Sequence, residues 1–271
     1  MKIIITGANS GVGRATAAQL SAAGHDVTIA CRNTVKGKEA ATEMAGHVEV
    51  RKLDLADLSS VNSFCETVDE FDVLVNNAGV FALPLTRTAD GFEAHMGTNH
   101  LGHFALTCQL AERIRDRVVV VTSGTSALTR LRTDDLNWHT RRYNKWAAYA
   151  QSKLANALFA QELVRRGHKA IAVDPGFVDS GITKGMDGAL GWIYDVFSNK
   201  IAQTPEQGAR TTVRAVTEDL PAGTYLAPSG FLHLWGQPKV SVPQKKVADE
   251  AAAARLWQIS AELTGCNWPG D

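Results

Sequence analysis

The sequence has no excess of charge of either sign, because 28 Lys and Arg residues balance 28 Asp and Glu residues among 271 positions. Nucleic-acid binding needs a basic surface, so this balance argues against a nucleic-acid partner. The sequence also lacks any uninterrupted run of about 18 apolar residues, the length that a membrane-spanning helix requires. We therefore expect neither nucleic acid nor membrane among the partners of this chain.

Cysteine is scarce as well. The chain has four cysteines, which are widely separated and form no C-x-x-C pair: Cys31, Cys65, Cys108 and Cys266. This spacing is typical of reduced thiols and argues against disulfides or a zinc site.

A predicted strand already begins at Lys2, which leaves no room for a signal peptide before it. We expect a cytoplasmic protein.

Three histidines lie close together in the sequence but do not suggest a metal site. His95, His100 and His103 follow each other at spacings of five and three residues, so they do not converge on a predicted helix. No acidic or thiol partner completes a ligand set beside them. We predict packed or exposed histidines and no bound metal.

Short apolar strands alternate with helical segments along most of the chain. Strands are predicted at 3–5, 26–30, 47–53, 71–76, 117–123 and 169–175, and helices at 15–20, 34–45, 58–68, 90–114 and 145–166. A further strand near 223–228 and a final helix near 247–264 follow a less regular portion. This alternation predicts an α/β fold, a Rossmann-type doubly wound parallel sheet with helices on both faces. No linker divides the chain, so we predict a single domain over 1–271.

A glycine-rich stretch, TGANSGVG at 6–13, connects the first predicted strand to the first predicted helix. The start of a helix exposes unpaired N–H groups, and glycines let a phosphate approach them without a Cβ in the way. A pyrophosphate is the expected occupant. Glycines also serve tight strand-to-helix turns for conformational reasons alone, so the stretch by itself leaves that alternative open.

Tyr149 and Lys153 are four residues apart on a predicted helix, so their side chains leave the same face. An ammonium about 4 Å from a phenol contributes roughly 4 kcal/mol at an effective dielectric of ~20, nearly three pKa units. We therefore expect Lys153 to lower the pKa of Tyr149 and make it an acid/base. Ser123 ends the fifth strand, where it is expected to hold the substrate oxygen. Thr122 is the adjacent alternative, because strand alternation lets only one of the two hydroxyls face the site.

Six segments in order resemble the motif set of the short-chain dehydrogenase/reductase family. They are TGANSGVG (6–13), NNAG (76–79), TNHLGHF (98–104), VVVTS (119–123), YAQSK (149–153) and DPGFVDS (174–180). The spacing G-x-x-x-G-x-G is the form that this family uses. Softer similarities at 30–33, 149–163 and 254–265 resemble the branch containing retinol dehydrogenases, WW-domain oxidoreductase and protochlorophyllide reductases.

The resemblance implies the roles of the catalytic residues. Tyr149 would be the acid/base, Ser123 would place the substrate oxygen, and Lys153 would also grip the nicotinamide ribose. Asn99 would help to hold a water molecule that continues a proton relay. Taken singly, each residue has an alternative interpretation: Ser123 as a turn former, Lys153 as a solvated cation and Tyr149 as a residue of an amphipathic helix. These alternatives do not explain the whole set in this order.

The cofactor type depends on the residue after the second strand. An NAD site usually has Asp or Glu there, whereas an NADP site needs a cation for the 2′-phosphate. Arg32 occupies this position next to Cys31, and Ser10 offers an additional hydroxyl. We therefore predict NADP(H), with a plain surface cation as the alternative interpretation of Arg32.

The resemblance extends to the other residues around the cofactor. It implies that 54–55 contact the adenine edge, that 76–79 line the adenosine ribose and that 175–180 face the nicotinamide carboxamide. The complete predicted cofactor set is Gly7, Asn9, Ser10, Gly11, Val12, Gly13, Arg32, Asp54, Leu55, Asn76, Ala78, Gly79, Tyr149, Lys153, Pro175, Gly176, Val178 and Ser180.

The stretch after 180 bears on the substrate. Met186, Leu190, Ile193 and Phe197 recur at helical spacing, while frequent glycines weaken this helix. We predict an apolar substrate lid at about 181–203, with plain packing on the sheet as the alternative. A closing apolar lid favours a hydrophobic carbonyl or alcohol substrate.

These observations lead to one principal hypothesis and two alternatives. The principal one is an NADP(H)-dependent enzyme that moves a hydride between nicotinamide and a carbonyl or alcohol of a hydrophobic small molecule. The alternatives are an NADPH-binding regulatory protein without turnover, and a reductase of enone-type C=C bonds. A homo-oligomer is compatible with the sequence, which does not determine the number of subunits.

Overall fold

Strands and helices alternate in the computed structural model, which describes residues 1–179, 202–266 and 268–269. The strands are β1 (Lys2–Thr6), β2 (Asp26–Cys31), β3 (Val48–Lys52), β4 (Phe71–Asn76), β5 (Ile114–Val121), β6 (Ala170–Val173), β7 (Tyr225–Pro228) and β8 (Pro238–Ser241). The helices are α1 (Gly11–Ala22), α2 (Thr34–Thr42), α3 (Leu58–Glu66), α4 (Gly102–Leu110), α5 (Lys145–Arg165), α6 (Pro205–Thr217) and α7 (Glu250–Thr264). Among the described helices, none has both the length and the apolar composition that a membrane crossing needs.

All of these strands belong to one sheet, in the order β3-β2-β1-β4-β5-β6-β7-β8. Neighbouring strands run parallel except for β8, which is antiparallel to β7. The strand order reverses between β1 and β4, which opens a crevice at the carboxyl ends of the strands. The predicted doubly wound α/β sheet is therefore confirmed.

Side chains alternate across the sheet, as the period of a strand requires. In β1, Ile3 and Ile5 pack with α1 and α6 on one face, whereas Ile4 packs with α3 and α4 on the other. Both faces of the central strands are thus covered, which explains why these strands are continuous apolar runs in the sequence.

The structure differs from the sequence-based prediction mainly after β6. Helix α6 and strand β8 were not predicted, although α6 begins with a strong signal. Thr204 caps its first turn, Pro205 occupies the first helical position, and Gln207 completes a capping box. Most of the predicted lid, 181–201, lies outside the described residues.

The helix predicted at 90–114 is shorter and irregular. A π-helical turn at Met96–Leu101 leads directly into α4, and β5 already begins at Ile114. Wide helical turns of this kind are rare and occur frequently at functional sites. Here the turn contains Asn99, one of the predicted catalytic residues.

Candidate active site

The glycine-rich stretch forms a tight turn between β1 and α1. Gly7 and Gly11 adopt left-handed backbone conformations, with φ of 67° and 54°, which favour glycine. A Cβ on Gly7 would lie 2.8 Å from the Cβ of Ala78, and a Cβ on Gly13 would collide with the Asn77 side chain. The turn therefore packs directly against the segment after β4. Ser10 precedes α1 without capping it through its side chain, which leaves the first N–H groups of the helix open to a ligand.

A cavity of about 610 Å³ lies at the carboxyl ends of the parallel strands and begins at this turn. It brings together most of the predicted site residues, namely Gly7, Asn9, Ser10, Gly11, Val12, Gly13, Arg32, Asp54, Leu55, Ala78, Gly79, Ser123, Tyr149, Lys153, Pro175, Gly176 and Val178. Ser180, predicted beside them, lies outside the described residues. The residues predicted to bind phosphate and those predicted to be catalytic thus line one continuous cavity.

Asn76 does not line this cavity, contrary to the prediction. Its amide Nδ2 donates to Thr107 Oγ1 of α4 at 2.9 Å, and the residue is buried on the face of the sheet that α4 covers. The next residue, Asn77, lines the cavity instead and donates to the Thr6 carbonyl at 2.7 Å. The difference follows from strand alternation, because Asn76 ends β4 with its side chain on the α4 face. The doubled asparagine in the sequence did not indicate which of the two faces the site.

Asn99 lies directly behind the cavity wall. Its Oδ1 accepts from the Val80 N–H at 2.7 Å, and its Nδ2 donates to the Val80 carbonyl at 3.1 Å and to Ser152 Oγ at 2.9 Å. A Cβ added to Gly79 would lie 3.3 Å from Asn99 Oδ1 and 3.6 Å from Lys153 Nζ. The amide therefore connects the 79–80 segment to α5 beside the predicted catalytic lysine. Its role in a water relay stays a prediction.

Tyr149 and Lys153 project from one face of α5 into the cavity, as their spacing predicts. Helix α5 begins at Lys145 and is capped by the Asn144 side chain, which accepts from two N–H groups of the first turn. Lys153 is buried, and its Nζ donates to the Val121 carbonyl at 3.2 Å. The same Nζ lies 5.9 Å from the centre of the Tyr149 ring. Lys153 thus lies between the end of β5 and the Tyr149 ring.

Burial is the main influence on the pKa of both side chains. It raises the pKa of Tyr149 to about 12, with the Ser123 hydroxyl lowering it and the charge of Asp174 raising it further. Burial also lowers the pKa of Lys153 to about 8, against the opposing effect of Asp174. The expected lowering of the Tyr149 pKa by Lys153 does not appear, because desolvation dominates and the ammonium is directed at the Val121 carbonyl. Part of the Tyr149 surface remains open to the cavity, which moderates the desolvation.

The two hydroxyls at the end of β5 have different partners. Thr122 Oγ1 donates to the Val173 carbonyl of β6 at 3.0 Å and is therefore engaged within the sheet. Ser123 Oγ accepts from the Thr125 N–H at 3.3 Å and from Thr125 Oγ1 at 3.1 Å. These two bonds leave the Ser123 hydrogen to be donated on the cavity side, where its hydroxyl interacts with Tyr149. The arrangement favours Ser123, as predicted, over Thr122.

Asp174 is a polar residue of this end that the sequence reasoning did not assign. It directly follows β6 and is buried, with its Oδ1 accepting from the Gly176 N–H at 2.9 Å. Tyr225 donates its phenol hydrogen to Asp174 Oδ2 at 3.3 Å. Burial raises the pKa of this carboxyl, although these hydrogen bonds oppose the effect. The residue precedes the Pro-Gly pair of a predicted cofactor motif, and this position was the available signal.

The far end of the cavity is solvated and basic. Arg32 and Lys36 are both exposed and line it, and Lys36 was not predicted. Lys52 donates to the Arg32 carbonyl at 2.7 Å and so holds the backbone of this segment. Lys36 lies on the first turn of α2, four residues after Arg32, and this spacing was the sequence signal for it. Two cations at one end of the cavity can hold a phosphate group.

The three neighbouring histidines are directed at separate partners. His95 is within 2.7 Å of Glu93 Oε1, His100 within 2.9 Å of Ser260 Oγ, and His103 within 2.8 Å of Thr6 Oγ1. All three are buried. They are packed core residues, one of the two environments that the sequence predicts for them.

Comparison with known proteins agrees with this geometry. A family model described as short chain dehydrogenase matches residues 1–189. Retinol dehydrogenase 12 of Mus musculus is 40% identical over 286 residues, covering 98% of this chain and 87% of that protein. Retinol dehydrogenase 13 of Homo sapiens is 38% identical over 295 residues, covering 98% and 85%. A crystal structure of an uncharacterized protein from Mycobacterium paratuberculosis is 42% identical, with a TM-score of 0.86 over 99% of this chain and 94% of that one.

Proposed function

This chain belongs to the short-chain dehydrogenase/reductase family, in the branch of the retinol dehydrogenases, and on that premise we propose an NADP(H)-dependent oxidoreductase that interconverts a hydrophobic carbonyl compound and its alcohol. The observation that carries the proposal is the shared cavity. It joins the glycine turn to Ser123, Tyr149 and Lys153, so a cofactor and a substrate oxygen can meet there.

The residues present fit a dinucleotide phosphate cofactor. The turn at 7–13 has no room for side chains at Gly7 and Gly13, and it offers the open N-terminus of α1 to a pyrophosphate. Arg32 and Lys36 would hold the 2′-phosphate, and the described lining of that end contains no Glu and only one Asp, Asp54. When bound, the cofactor supplies or accepts a hydride at nicotinamide C4.

Tyr149 would exchange the proton of the substrate oxygen. Its pKa of about 12 keeps the phenol protonated at neutral pH, so it is ready to donate to a carbonyl oxygen. Ser123, with its hydrogen available, would donate to the same oxygen and hold it beside the phenol. Lys153 would hold the nicotinamide ribose and restore the proton of Tyr149. These features favour the direction of carbonyl reduction.

The surroundings of Tyr149 support an apolar substrate. The ring of Phe81 meets that of Tyr149 edge-on at 4.6 Å, and Trp146 packs against Phe81 at 5.4 Å. Phe81 lines the cavity, and the Trp146 side chain is exposed beside it. The relatives are named for retinol, a long apolar alcohol, which agrees with an aromatic wall of this kind. We retain the predicted apolar lid at 181–203 as part of the proposal.

The test is a turnover screen with product identification. The purified chain is incubated with apolar and charged ketones, aldehydes, enones and alcohols, each with NADP(H) and with NAD(H). We expect conversion of apolar carbonyl compounds to alcohols with NADPH as the preferred cofactor. Saturated ketones as products from enones would instead support C=C reduction. Tight NADPH binding without conversion of any compound would support the regulatory alternative and refute the proposal.

A further inference from the structure

A buried polar cluster lies behind the wall that carries Phe81, and the proposed chemistry does not use it. Glu93 and His95 are fully buried, and Tyr143 is partly buried next to them. Glu93 Oε1 accepts from His95 Nδ1 at 2.7 Å and from the Tyr143 hydroxyl at 3.0 Å, while Oε2 accepts from the Met96 N–H at 2.9 Å. The Asn137 side chain accepts from the Glu93 N–H at 3.0 Å. Within the described part of the chain, none of the three cluster residues lines the cavity.

The hydrogen bonds define the proton positions in this cluster. The Leu83 N–H points at His95 Nε2 at 3.2 Å, so that nitrogen must be the unprotonated acceptor. The other ring nitrogen, Nδ1, then carries the hydrogen and donates it to Glu93. Burial alone would raise the pKa of Glu93, but its interactions with His95 and the hydrogen bond from the Met96 N–H together outweigh burial and lower this pKa. The cluster therefore consists of a carboxylate, a neutral imidazole and a phenol, each with a defined role.

These bonds hold one end of the loop at 80–83. Leu83 donates its N–H to His95, and its carbonyl lies 3.1 Å from the Tyr143 hydroxyl, whose single hydrogen it shares with Glu93 Oε1. The other end is held at Val80 by two hydrogen bonds with the Asn99 amide. Between the two anchors, Ala82 adopts a left-handed conformation with φ of 51°, which an alanine rarely does without support. The loop is thus kept in a strained shape by buried side chains at both ends.

Phe81 is the residue that this loop presents to the site. Its ring meets Tyr149 at an interplanar angle of 86° and Trp146 at 70°. We propose that Glu93, His95 and Tyr143 form a positioning network that fixes Phe81 against the catalytic tyrosine and so shapes the substrate side of the cavity. Glu93 and Tyr143 act through the loop, whereas His95 also meets the Tyr149 ring edge-on, with 6.2 Å between the ring centres. The inference rests on the proposed function for its kinetic readout only.

The kinetic test compares Tyr143→Phe and His95→Phe with a matched control, His100→Phe. His100 is an equally buried histidine of the same helical stretch, and it bonds Ser260 rather than the loop. We expect the KM for the carbonyl substrate to rise roughly threefold to tenfold in Tyr143→Phe, the equivalent of one lost hydrogen bond, and further in His95→Phe. The Kd for NADPH and the KM in the control should stay near the wild-type values. Loss of thermal stability in all three variants with an unchanged KM would overturn the inference.

A second measurement does not depend on turnover. The chain is labelled with fluorophenylalanine, and the ¹⁹F resonance of Phe81 is identified as the one that is missing in Phe81→Leu. The chemical shift and the line width of this resonance are then compared among the variants. We expect a shifted or broadened Phe81 signal in Tyr143→Phe and an unchanged one in His100→Phe. An unchanged signal in both cluster variants would refute the positioning role. A wild-type chain that turns over no substrate would refute the proposed function alone.

Discussion

The two ends of the cavity differ in solvent exposure: the buried end contains Tyr149, Lys153 and Asp174, and the solvated end contains Arg32 and Lys36. At the catalytic end Lys153 and Asp174 are buried, and burial shifts the pKa of Lys153, Asp174 and Tyr149. At the solvated end Arg32 and Lys36 are exposed to solvent. A proton donor must hold its hydrogen at neutral pH, and the burial that raises the Tyr149 pKa keeps it there. Recognition of a phosphate needs only a permanent charge that stays hydrated until the ligand arrives.

This difference determines how each end should respond to substitution. A change at the buried end alters protonation or leaves a buried charge without compensation, so its effect should be large and depend on pH. A change at the solvated end removes a contact that water and salt already screen, so its effect should be smaller and depend on ionic strength.

The largest effect is expected from Tyr149→Phe. This change removes the transferable proton at the buried end while keeping the ring that packs on Phe81. Loss of a general acid typically costs about 10²–10⁴ in rate, so turnover should fall by at least that much. NADPH binding, followed by fluorescence titration, should persist. Retention of most of the activity would show that another acid operates and would break the contrast between the two ends.

A change of cofactor preference is expected from Arg32→Asp at the solvated end. The change removes a charge-assisted contact worth about 1.5–3 kcal/mol and adds repulsion, so the preference should move at least tenfold towards NAD(H). Lys36→Ala should shift it less, and added salt should reduce both effects. Lys38, an exposed lysine of α2 that does not line the cavity, provides the control as Lys38→Ala. Equal use of both cofactors by the wild type would contradict the prediction.

A shift of pH dependence is expected from Asp174→Asn. The negative charge of Asp174 raises the pKa of both Tyr149 and Lys153, so its removal should lower both. A lower Tyr149 pKa makes the deprotonated phenol available at lower pH. The rising limb of alcohol oxidation against pH should therefore move to lower pH.

A graded form of this change is Tyr225→Phe. It removes the phenol that donates to Asp174, and because that bond lowers the Asp174 pKa, the carboxylate becomes easier to protonate. Its pH profile should move in the same direction as that of Asp174→Asn, and by less. Identical profiles for Asp174→Asn and wild type, both measured on folded protein, would show that Asp174 acts only as a structural residue.

The sequence predicted which residues line the cavity better than it predicted their protonation and orientation. The strands up to β6 follow from apolar runs of strand length, and the glycine turn, Ser123, Tyr149 and Lys153 follow from motifs with fixed spacing. The pKa of Tyr149 could not be predicted, because it depends on burial and on Asp174, which is distant in the sequence. Asn76 was wrongly predicted to line the cavity for a related reason, since the face to which the last residue of a strand points depends on the register of that strand. The Glu93 cluster was missed because only its bonds to His95 and Met96 are local, whereas Tyr143 and Asn137 reach it from distant parts of the sequence.

Helix α6 was missed for another reason, since its signal is local. The letters T-P-E-Q at 204–207 contain a cap, a proline at the first helical position and a reciprocal partner. The buried face of the helix recurs at helical spacing but consists mostly of small or polar residues, namely Gly208, Ala209, Thr211, Thr212, Ala215 and Val216. Such a face gives little apolar signal, so the cap is the clearer local indication of this helix.

The smallest effect is expected from Thr204→Ala, which removes that cap. The Thr204 hydroxyl accepts from the Gln207 N–H at 3.3 Å, and the Gln207 side chain accepts from the Thr204 N–H at 2.9 Å. Loss of such a cap should lower the free energy of unfolding by about 1 kcal/mol. Gly208 of α6 is packed against Val178 and Pro175, so the helix supports the catalytic end without contributing a titrating group to it. Denaturant unfolding should show this loss of stability, while the pH profile of turnover stays unchanged. A shifted profile would mean that the pKa values at the buried end depend on the supporting helix and not only on local burial.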